Sequence, residues 1–563
     1  MAGNNKKNRG KHGKDKKSSL MYVVLAAVAV LCVIFILSTL LGESKTEVNQ
    51  RDYFKISDDS QVALVINGQQ SENFAKLIDG SIYVPYEVVW NEINSAFYVE
   101  DASDTLYIAL PSQTVTYAVG DESGFLYKDS DGTYYILYDC IKQYTDADME
   151  SFGDPARIVI RTDWDGLKYA VVSGEGNIRT EATKSADIAY SCSNGERIEV
   201  VSDDGEWSCV MSTDGHVGYI KNTELTDITD ASAREANAEL TFERIEKEGS
   251  VGMAWDYIGA EEDNDELSRM MEGVSGLNVI CPTWFALSDS SGNISSYASA
   301  QYVQTAHDNY GLQVWALVGD YEGEDATTGE ILSSYENRSR CISSLIQNAL
   351  TLGIDGINID FEHIGQECGD AYIEFLRELT QQAHANGLIV SVDDYVPGYT
   401  SHYRRDAQND IVDYVIMMGY DEHTAYTDEY GSVASLPYVR EGVEATLAEV
   451  SADKLILAVP FYTRGWTVPF GSDGFTSETL YMKNEQEFID AHGIELSWDE
   501  SLGQYAGSAE DDSNRYYIWV EDAASLENKL SLIGEYSLAG AAGWRLGMQS
   551  DDVWSVWQSA LAQ

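Results

Sequence analysis

The feature that most constrains the fold is an alternation of short apolar segments and amphipathic runs over residues 250–563. Between most of the apolar segments lies a run such as 371–384, in which apolar side chains recur at helical spacing. Eight strand and helix units of this kind predict an α/β fold, a (β/α)8 TIM barrel over residues 245–563. The eight predicted strands begin at Gly252, Leu277, Leu312, Gly356, Leu388, Val412, Leu455 and Ala539.

The residues before the barrel are rich in predicted β-structure. Within residues 56–165, short β-branched and aromatic segments are separated by Gly, Asp and Ser turns, which indicates a β-rich domain. Residues 166–227 predict five short strands at closer spacing. Gly218 suits a tight bend among them, and Trp207 and Tyr219 are candidates for packing between them.

A basic segment and an apolar run precede these domains. Residues 1–19 are rich in Lys and Arg, and no charged residue occurs from Leu20 to Leu41. At about 1.5 Å per residue, a helix of that length spans the roughly 30 Å hydrocarbon layer, so residues 20–42 predict an uncleaved transmembrane anchor. A cleaved signal peptide is the alternative, but the run is longer than the usual h-region of about 7 to 15 residues. The positive-inside rule then predicts a cytosolic N-terminus and an extracellular location for the residues after Gly42.

Charge and cysteine spacing exclude several classes of function. A chain with a formal net charge of -57 repels nucleic acid, so no nucleic-acid partner is expected. The cysteines beyond the predicted anchor have neither CxxC nor Cys/His spacing, so neither a zinc site nor a redox motif is predicted. Cys192 and Cys209 are the local candidates for a disulfide, and buried thiols are the alternative. We expect no metal ion and no organic cofactor.

Polar side chains are aligned on one predicted barrel strand, within residues 355–362. Side chains two residues apart share a face of a strand, so Asn358, Asp360 and Glu362 point the same way. Asp355 has the opposite parity and is interpreted as structural. Two carboxylates and an amide on an otherwise apolar strand are costly to desolvate, and the reactive groups of TIM barrels lie at the C-terminal strand ends. This segment is therefore the predicted active site, with structural salt bridging as the alternative.

The octet DGINIDFE at residues 355–362 resembles the DGxxxDxE signature of glycoside hydrolase family 18. The resemblance extends over residues 250–563. Asn358 departs from it, because many chitinases of the family have Asp at this position. Further phrases are similar to the branch that contains spore-cortex and cell-wall lytic enzymes of Gram-positive bacteria. They are CPTWF at 281–285, MGYDEH at 418–423, VPFY at 459–462, WVED at 519–522 and WRLG at 544–547.

The resemblance implies a substrate-assisted retaining mechanism, in which the 2-acetamido oxygen of the sugar is the nucleophile. It implies that Glu362 is the general acid and base and that Asp360 holds the acetamido N–H and stabilises the oxazolinium ion. Tyr420 is implied to hydrogen-bond the acetamido carbonyl. Salt bridges are the alternative role for His423 and Arg464. The residues implied to bind substrate are Asn358, Asp421, Trp544, Trp284, Tyr462 and Arg464.

The two β-rich segments have resemblances of their own. Residues 166–227 resemble a bacterial SH3 domain, a module that often binds peptidoglycan in related cell-wall enzymes, and a purely structural spacer is the alternative. Residues 56–165 resemble the small stalk domain at the N-terminus of some copper amine oxidases, which implies a spacer and no copper chemistry.

These features together predict a membrane-anchored extracellular glycosidase that cleaves β-linked N-acetylglucosamine polymers. Peptidoglycan is the preferred substrate because of the branch resemblance, the SH3-like segment and the anchor, and a chitin-like glycan is second. A glycan-binding protein of the cell wall that has lost turnover is the alternative, and the intact Glu362 favours the enzyme. The expected partners are a polysaccharide and the cell membrane.

Overall fold

The structure, a computed structural model, describes residues 43–203, 205–232, 237–398, 400–472 and 474–562. Two compact units are present, the first formed by residues 43–84 and 147–232 and the second by residues 85–146 and 237–562. The predicted stalk segment is therefore divided between the two units. The predicted anchor, residues 20–42, lies outside the described residues. Within the described ranges, every helix is too short or too polar to cross a bilayer.

Eight parallel strands in the second unit close into a barrel, which confirms the predicted (β/α)8 fold. In chain order the strands are β1 (Val251–Asp256), β2 (Val279–Pro282), β3 (Gln313–Gly319), β4 (Gly356–Asp360), β5 (Ile389–Tyr395), β6 (Tyr414–Met418), β7 (Leu455–Pro460) and β8 (Gly540–Trp544). Each strand pairs with the next one, and β8 pairs with β1. Because the ring is complete and all pairs are parallel, the C-terminal ends of the strands form one rim.

Barrel side chains alternate between the interior and the surrounding helix layer. Trp255 is buried inside the barrel, whereas Ile357 and Ile359 pack outward against the helices. Ring closure depends on Gly540, which pairs with Val251 of β1. A Cβ at Gly540 would overlap the carbonyl oxygen of Val251, so the two strands meet at this distance only with glycine there.

Helices cover the outside of the barrel and alternate with its strands. The helix Gly369–His384 confirms the amphipathic run predicted at 371–384 and buries its apolar face. The other α-helices of the second unit are Tyr86–Val88, Tyr138–Tyr144, Leu267–Met270, Ala300–Thr305, Thr328–Leu332, Tyr335–Leu352, Arg405–Ile411, Leu436–Thr446, Glu485–His492, Ala523–Tyr536 and Val553–Leu561. Shorter 3-10 or π turns are Val89–Ile93, Glu261–Glu266, Ala306–Tyr310, Gln366–Cys368 and Ser401–Tyr403.

Two antiparallel insertions interrupt the alternation. After β2, the strands Phe285–Leu287 and Ile294–Ser296 form a hairpin. Between β7 and β8 lies a five-stranded sheet in the order Thr476–Tyr481, Tyr462–Pro469, Asn514–Trp519, Gln504–Glu510 and Glu495–Asp499. Because its strand at Tyr462 begins two residues after β7 ends, this sheet rises from the C-terminal rim of the barrel.

Residues 85–146 pack against two barrel helices. Tyr98 lies under the guanidinium of Arg338, whose Cζ is 4.9 Å from the ring centroid. The side-chain amide of Gln381 donates a hydrogen bond to the Leu110 carbonyl oxygen at 2.6 Å. The strands of this segment are Phe97–Glu100, Thr105–Ala109, Thr114–Ala118, Leu126–Lys128 and Tyr134–Leu137.

The first unit is built almost entirely from β-strands, with one short helix, Gln50–Tyr53, and a 3-10 turn, Asn222–Glu224. Its first group of strands is Gln61–Ile66, Gln69–Ile78, Ser81–Pro85, Asp148–Phe152 and Arg157–Arg161. Its second sheet contains Lys168–Val172, Gly176–Arg179, Ile188–Cys192, Arg197–Asp203, Trp207–Met211, Val217–Lys221 and Leu225–Asp230.

The second sheet has strands at all five positions predicted within residues 166–227. A Cβ on Gly218 would overlap the Arg179 carbonyl oxygen, which explains the glycine at this close approach. Cys192 is a buried thiol, so the candidate disulfide with Cys209 is not formed.

Candidate active site

Strand β4 brings the acidic segment to the C-terminal rim of the barrel. Ile357 and Ile359 are buried in the helix layer, so the alternate side chains of Asn358 and Asp360 face the barrel interior. Glu362 lies two residues beyond the strand end and keeps the same parity. This order places an amide deep in the barrel, a carboxyl above it and a second carboxyl at the rim.

A cavity of about 170 Å³ opens at this rim. Six of the residues implied by the resemblance line it, namely Asp360, Glu362, Tyr420, Asp421, Tyr462 and Trp544. It is also lined by four residues that the sequence analysis did not single out, namely Trp255, Asp393, Tyr395 and Met418.

Glu362 is held from two sides. The Tyr395 hydroxyl donates a hydrogen bond to Glu362 Oε2 at 2.5 Å. Asp320 Oδ2 accepts from the backbone N–H of Glu362 at 2.7 Å and from that of His363 at 3.0 Å. The first contact orients the carboxyl, and the second pair fixes the backbone that carries it.

Asp360 lies close to Glu362 and lines the same cavity. Its Oδ1 is buried and has no hydrogen-bond partner among the residues that the structure describes. Burial raises the pKa of Asp360 well above its usual range, and the negative charges of Glu362 and Asp320 raise it further. The protonated form of Asp360 is therefore favoured.

Asn358 is fully buried beneath the cavity and does not line it, so the implied direct contact with substrate is not supported by its position. Its Nδ2 donates to Ser391 Oγ at 3.0 Å and to Asp393 Oδ1 at 2.8 Å. Its Oδ1 accepts from Trp255 Nε1 at 3.3 Å and from the Cys281 thiol at 3.4 Å. Since indole N–H is only a donor, these partners fix the orientation of the amide.

Asp393, two residues before the end of β5, is 2% exposed and yet lines the cavity. Burial raises the pKa of Asp393 well above its usual range, and the neighbouring Asp360 charge raises it further, while the hydrogen bond from Asn358 acts in the opposite direction. Two adjacent buried carboxyls that both resist ionisation favour retention of a proton between them.

The segment after β6 supplies the opposite wall. Burial keeps the Tyr420 hydroxyl protonated, because it raises the pKa of that group well above its usual value. Asp421 has a φ of 60°, a left-handed conformation that costs about 1 kcal/mol or more for a residue with a side chain. Tyr462 Oη donates to Asp421 Oδ1 at 2.7 Å, and Arg464 Nη2 lies 3.7 Å from the same oxygen. Arg464 therefore pairs with Asp421, in line with the salt-bridge alternative.

Two tryptophans form the apolar side of the cavity. The rings of Trp255, from β1, and Trp544, from the end of β8, are 5.6 Å apart with an interplanar angle of 59°. Trp255 is buried, whereas Trp544 is only partly buried and presents its ring to the cavity. Aromatic faces of this kind suit the apolar face of a sugar ring.

Trp284 is not among the residues that line the cavity. The side chain is 1% exposed and packs edge to face on Tyr302, with ring centroids 5.1 Å apart. Its Nε1 donates to Asn264 Oδ1 at 2.8 Å. Trp284 shares the parity of Ile280 on β2, and both pack in the outer core, whereas Cys281 faces the barrel interior.

A second hollow, of about 500 Å³, adjoins the cavity. Asp360, Glu362 and His363 border it on one side, and the loop at 319–328 borders it on the other. Asp360 and Glu362 therefore border both hollows.

Asp355 lies away from this rim, as the opposite parity predicted. Its Oδ2 accepts from the Val314 backbone N–H at 2.8 Å and lies 2.7 Å from His307 Nε2. His423 likewise has a local partner, with Nδ1 2.8 Å from the Ser432 carbonyl oxygen. Neither residue lines the cavity.

Asp393 and Tyr395 were not predicted as site residues, although the sequence contains a pattern that indicates them. Ser391, Asp393 and Tyr395 alternate at the end of a predicted apolar strand, the same pattern that identified the acidic segment of β4. Trp255 and Met418 carried none, since an apolar residue in a barrel strand is usually core. Among the described residues, no group of three or more His, Cys, Asp and Glu side chains is arranged to hold a metal ion.

Comparison with known proteins gives the family. Residues 254–549 match the model of glycosyl hydrolases family 18. The chain is 27% identical over 236 residues to the cortical fragment-lytic enzyme of Bacillus subtilis (strain 168), covering 40% of this chain and 54% of that enzyme. It therefore spans about half the length of this relative. It is also 30% identical over 169 residues to chitinase A1 of Niallia circulans, covering 24% of each protein.

Among solved structures, the chitinase from Chromobacterium violaceum ATCC 12472 is similar, with a TM-score of 0.49 and 22% identity, over 56% of this chain and 100% of that chain. The family match covers more than half of the 563 residues and contains the strands that build the cavity. The chain belongs to glycosyl hydrolases family 18.

Proposed function

We propose that the protein is a glycoside hydrolase that cleaves β-linked N-acetylglucosamine polymers with retention of configuration. The observation that carries the proposal is the position of Glu362, whose carboxyl faces the cavity and accepts a hydrogen bond from Tyr395. Asp360 and Tyr420 line the same cavity. These are a proton donor, a partner for an amide N–H and a donor to a carbonyl oxygen, which are the groups that substrate-assisted cleavage requires.

In the proposed first step, Glu362 donates its proton to the glycosidic oxygen as the bond from that oxygen to C1 breaks. The acetamido carbonyl oxygen of the same sugar forms a bond to C1, which gives an oxazolinium ion. Asp360 accepts the acetamido N–H, and its negative charge stabilises the positive charge that develops. Tyr420 donates a hydrogen bond to the acetamido carbonyl group and orients it.

In the second step, the Glu362 carboxylate takes a proton from water as the water oxygen attacks C1. The oxazolinium ring opens, the acetamido group is restored and Glu362 regains its proton. Two inversions at C1 give retention. Trp544 forms the apolar floor under the sugar that is attacked.

Peptidoglycan is the preferred substrate, and a chitin-like glycan is second. The name of the Bacillus relative refers to cortical fragments, and that of the Niallia relative to chitin. The SH3-like pattern of residues 166–227 and the apolar run at 20–42 favour an enzyme held near the cell wall. In this proposal residues 20–42 are a single-pass anchor, the N-terminus is cytosolic and the catalytic barrel is extracellular.

A glycan-binding protein without turnover is the second candidate. Asn358 favours it, because the amide replaces the carboxyl that many chitinases of the family have at this position. In that case the cavity would bind the sugar and Glu362 would remain without a proton-transfer role.

The test offers purified sacculi and chitin oligomers, side by side, to the full-length protein in detergent. Released reducing ends and product masses are measured for the wild type, for Glu362→Gln and for Glu367→Gln, an exposed glutamate outside the cavity. We expect Glu362→Gln to lower kcat about 10²-fold to 10⁴-fold and Glu367→Gln to match the wild type. Binding by all three proteins without hydrolysis by any would favour the glycan-binding candidate. Hydrolysis of chitin oligomers but not of sacculi would make a chitin-like glycan the preferred substrate instead of peptidoglycan.

A further inference from the structure

Besides Glu362, Asp360 has a carboxyl neighbour on the adjacent strand. The parallel register of β4 and β5 pairs Ile359 with Val392, so the next residues along the two strands, Asp360 and Asp393, are neighbours. Neighbouring strands lie about 4.8 Å apart, and both side chains line the cavity. On β4 itself, the next inward-facing residue below Asp360 is the neutral Asn358.

Asn358 is built to hold a carboxyl at position 393. Its amide group uses both donors, one on Ser391 and one on Asp393 Oδ1, and its oxygen accepts from Trp255 and Cys281. An aspartate at 358 has no N–H to donate, so it would not hold Asp393 in this way. The amide at 358 and the carboxyl at 393 therefore form a complementary pair.

The buried Oδ1 of Asp360 is the second observation. It has no hydrogen-bond partner in the described part of the chain, and leaving a buried acceptor unpaired is costly. A single proton held between Asp360 and Asp393 would make one carboxyl a donor and the other an acceptor. The high pKa of both groups agrees with such sharing.

We propose that Asp393 is a positioning residue that exchanges a proton with Asp360 during turnover, and that Asn358 holds Asp393 in place for this exchange. The inference rests on the proposed function, because the exchange matters only if positive charge develops beside Asp360. It pairs two carboxyls across neighbouring strands of the barrel.

The proton balance of the exchange is neutral. As the oxazolinium ion forms, the O–H bond of Asp360 breaks and an O–H bond of Asp393 forms. The electron pair left on Asp360 faces the acetamido N–H and the developing positive charge. When water restores the acetamido group, the proton returns from Asp393 to Asp360, and no net proton is gained or lost.

Other titratable groups interact electrostatically with Asp393 and therefore contribute to the pH dependence of the proposed exchange. They are Asp360 and Glu362 from β4 and its end, Asp394 from β5, Cys281 from β2, Tyr372 from the helix after β4, and Tyr420 after β6. When ionised, Asp393 carries the same negative charge as Asp360, Glu362 and Asp394. Loss of the Asp393 charge removes a repulsion from Asp360 and therefore lowers the pKa of Asp360.

The experiment moves the carboxyl between strands. Full-length wild type, Asp393→Asn, Asn358→Asp and the double variant Asn358→Asp/Asp393→Asn are assayed for kcat and for the pH profile of kcat/KM on the substrate that the wild type cleaves. We expect Asp393→Asn to lower kcat about tenfold or more and to move the acidic limb to lower pH. The double variant places the amide at position 393 and the carboxyl at position 358. We therefore expect it to recover most of the lost kcat and to return the acidic limb of the pH profile to its wild-type position.

Asp394→Asn is the matched control. Asp394 is also buried on β5, but it lies 3.4 Å from Arg405 and does not line the cavity. We expect Asp394→Asn to lower the melting temperature and to leave the acidic limb of the pH profile in place. Adding Asn358→Asp to Asp394→Asn should not raise kcat. Melting temperatures of all variants separate lost folding from lost exchange.

The outcomes separate the two proposals. A wild type without turnover removes the proposed function and this inference with it. An active wild type with an unchanged Asp393→Asn kcat and pH profile overturns the inference alone. A folded Asp393→Asn that is impaired but not recovered by Asn358→Asp also overturns it, because a merely structural role would give that result.

Discussion

At the scale of single residues, the candidate site depends on hydrogen bonds between strand ends. Glu362 lies two residues after β4. Its carboxyl accepts a hydrogen bond from the hydroxyl of Tyr395, the last residue of β5. Asp320, at the end of β3, holds the backbone of Glu362. Each contact joins neighbouring strands, so the orientation of Glu362 depends on the barrel being closed and in register.

Tyr395→Phe removes the hydroxyl that donates to Glu362 Oε2 and leaves the ring in place. Hydrogen bonds to charged groups contribute about 1.5 to 3 kcal/mol, so we expect kcat to fall about 10-fold to 100-fold, with a smaller change in KM. Steady-state kinetics on the cleaved oligomer check this. Tyr426→Phe is the control, because Tyr426 is 97% exposed and lies outside the cavity. Wild-type kcat in Tyr395→Phe would contradict the orienting role.

Asp256, at the end of β1, gives a pH dependence of stability. Burial raises the pKa of Asp256 to about 6, although the hydrogen bond from Tyr302 at 2.7 Å opposes the shift. The native state then binds more protons than the unfolded state, whose aspartates titrate near pH 4, so stability falls as pH rises from about 4 to 6.

We expect Asp256→Asn to remove this loss, because an amide does not ionise. Relative to the wild type, the variant should gain up to about 3 kcal/mol between pH 4 and pH 7. Thermal unfolding at both pH values measures the gain, with the exposed Asp308→Asn as control. A gain of equal size in Asp308→Asn, or none in Asp256→Asn, would count against the burial of Asp256 as the cause.

At the scale of elements, barrel closure depends on the approach of β8 to β1. Gly540→Ala puts a methyl group into the backbone of Val251, which is rigid. We expect a loss of about 1 to 3 kcal/mol or more, since a strand rather than a side chain must move. Circular dichroism melting is the measurement. Gly398→Ala is the matched control, because its Cβ would meet no atom within 4 Å. Equal melting temperatures for the two variants would refute the closure argument.

At the scale of the whole molecule, the second unit combines the barrel with a segment that precedes it by about a hundred residues in sequence. Buried Arg338 joins the two, since its Nη2 donates to Glu378 Oε1 at 3.0 Å while its guanidinium covers Tyr98. Glu374 is also fully buried beside this pair. Residues 85–146 therefore depend on a barrel cation as well as on apolar packing.

Arg338→Met keeps the apolar stem and leaves Glu378 buried without its cation. We expect a loss of about 3 to 5 kcal/mol, and faster proteolysis within residues 85–146. Thermal melting and limited proteolysis provide the two measurements. The double variant Arg338→Met/Glu378→Leu should recover part of the loss, because replacing both partners is often close to neutral. If Arg338→Met alone has the same melting temperature as the wild type, the ion pair does not stabilise this segment.

Much of the barrel and part of the site were predictable from the sequence, because both follow from periodicity within one short segment. A period of two on β4 aligned Asp360 with Glu362, and a helical period identified the helix at 369–384. Trp284 is buried outside the cavity lining, and the phrase that it shares with the family did not tell which way its side chain points. The grouping of residues 85–146 with the barrel also had no signal in the local pattern.

What the sequence alone determined is the set of elements and the parity of each strand, since these depend on residues a few positions apart. Only the tertiary structure decided that Asp393 and Tyr395 lie beside Asp360 and Glu362, about thirty residues away in the chain. The physical reason is that distances across a sheet are set by register and ring closure. Those properties belong to the packed barrel and to no single segment of it.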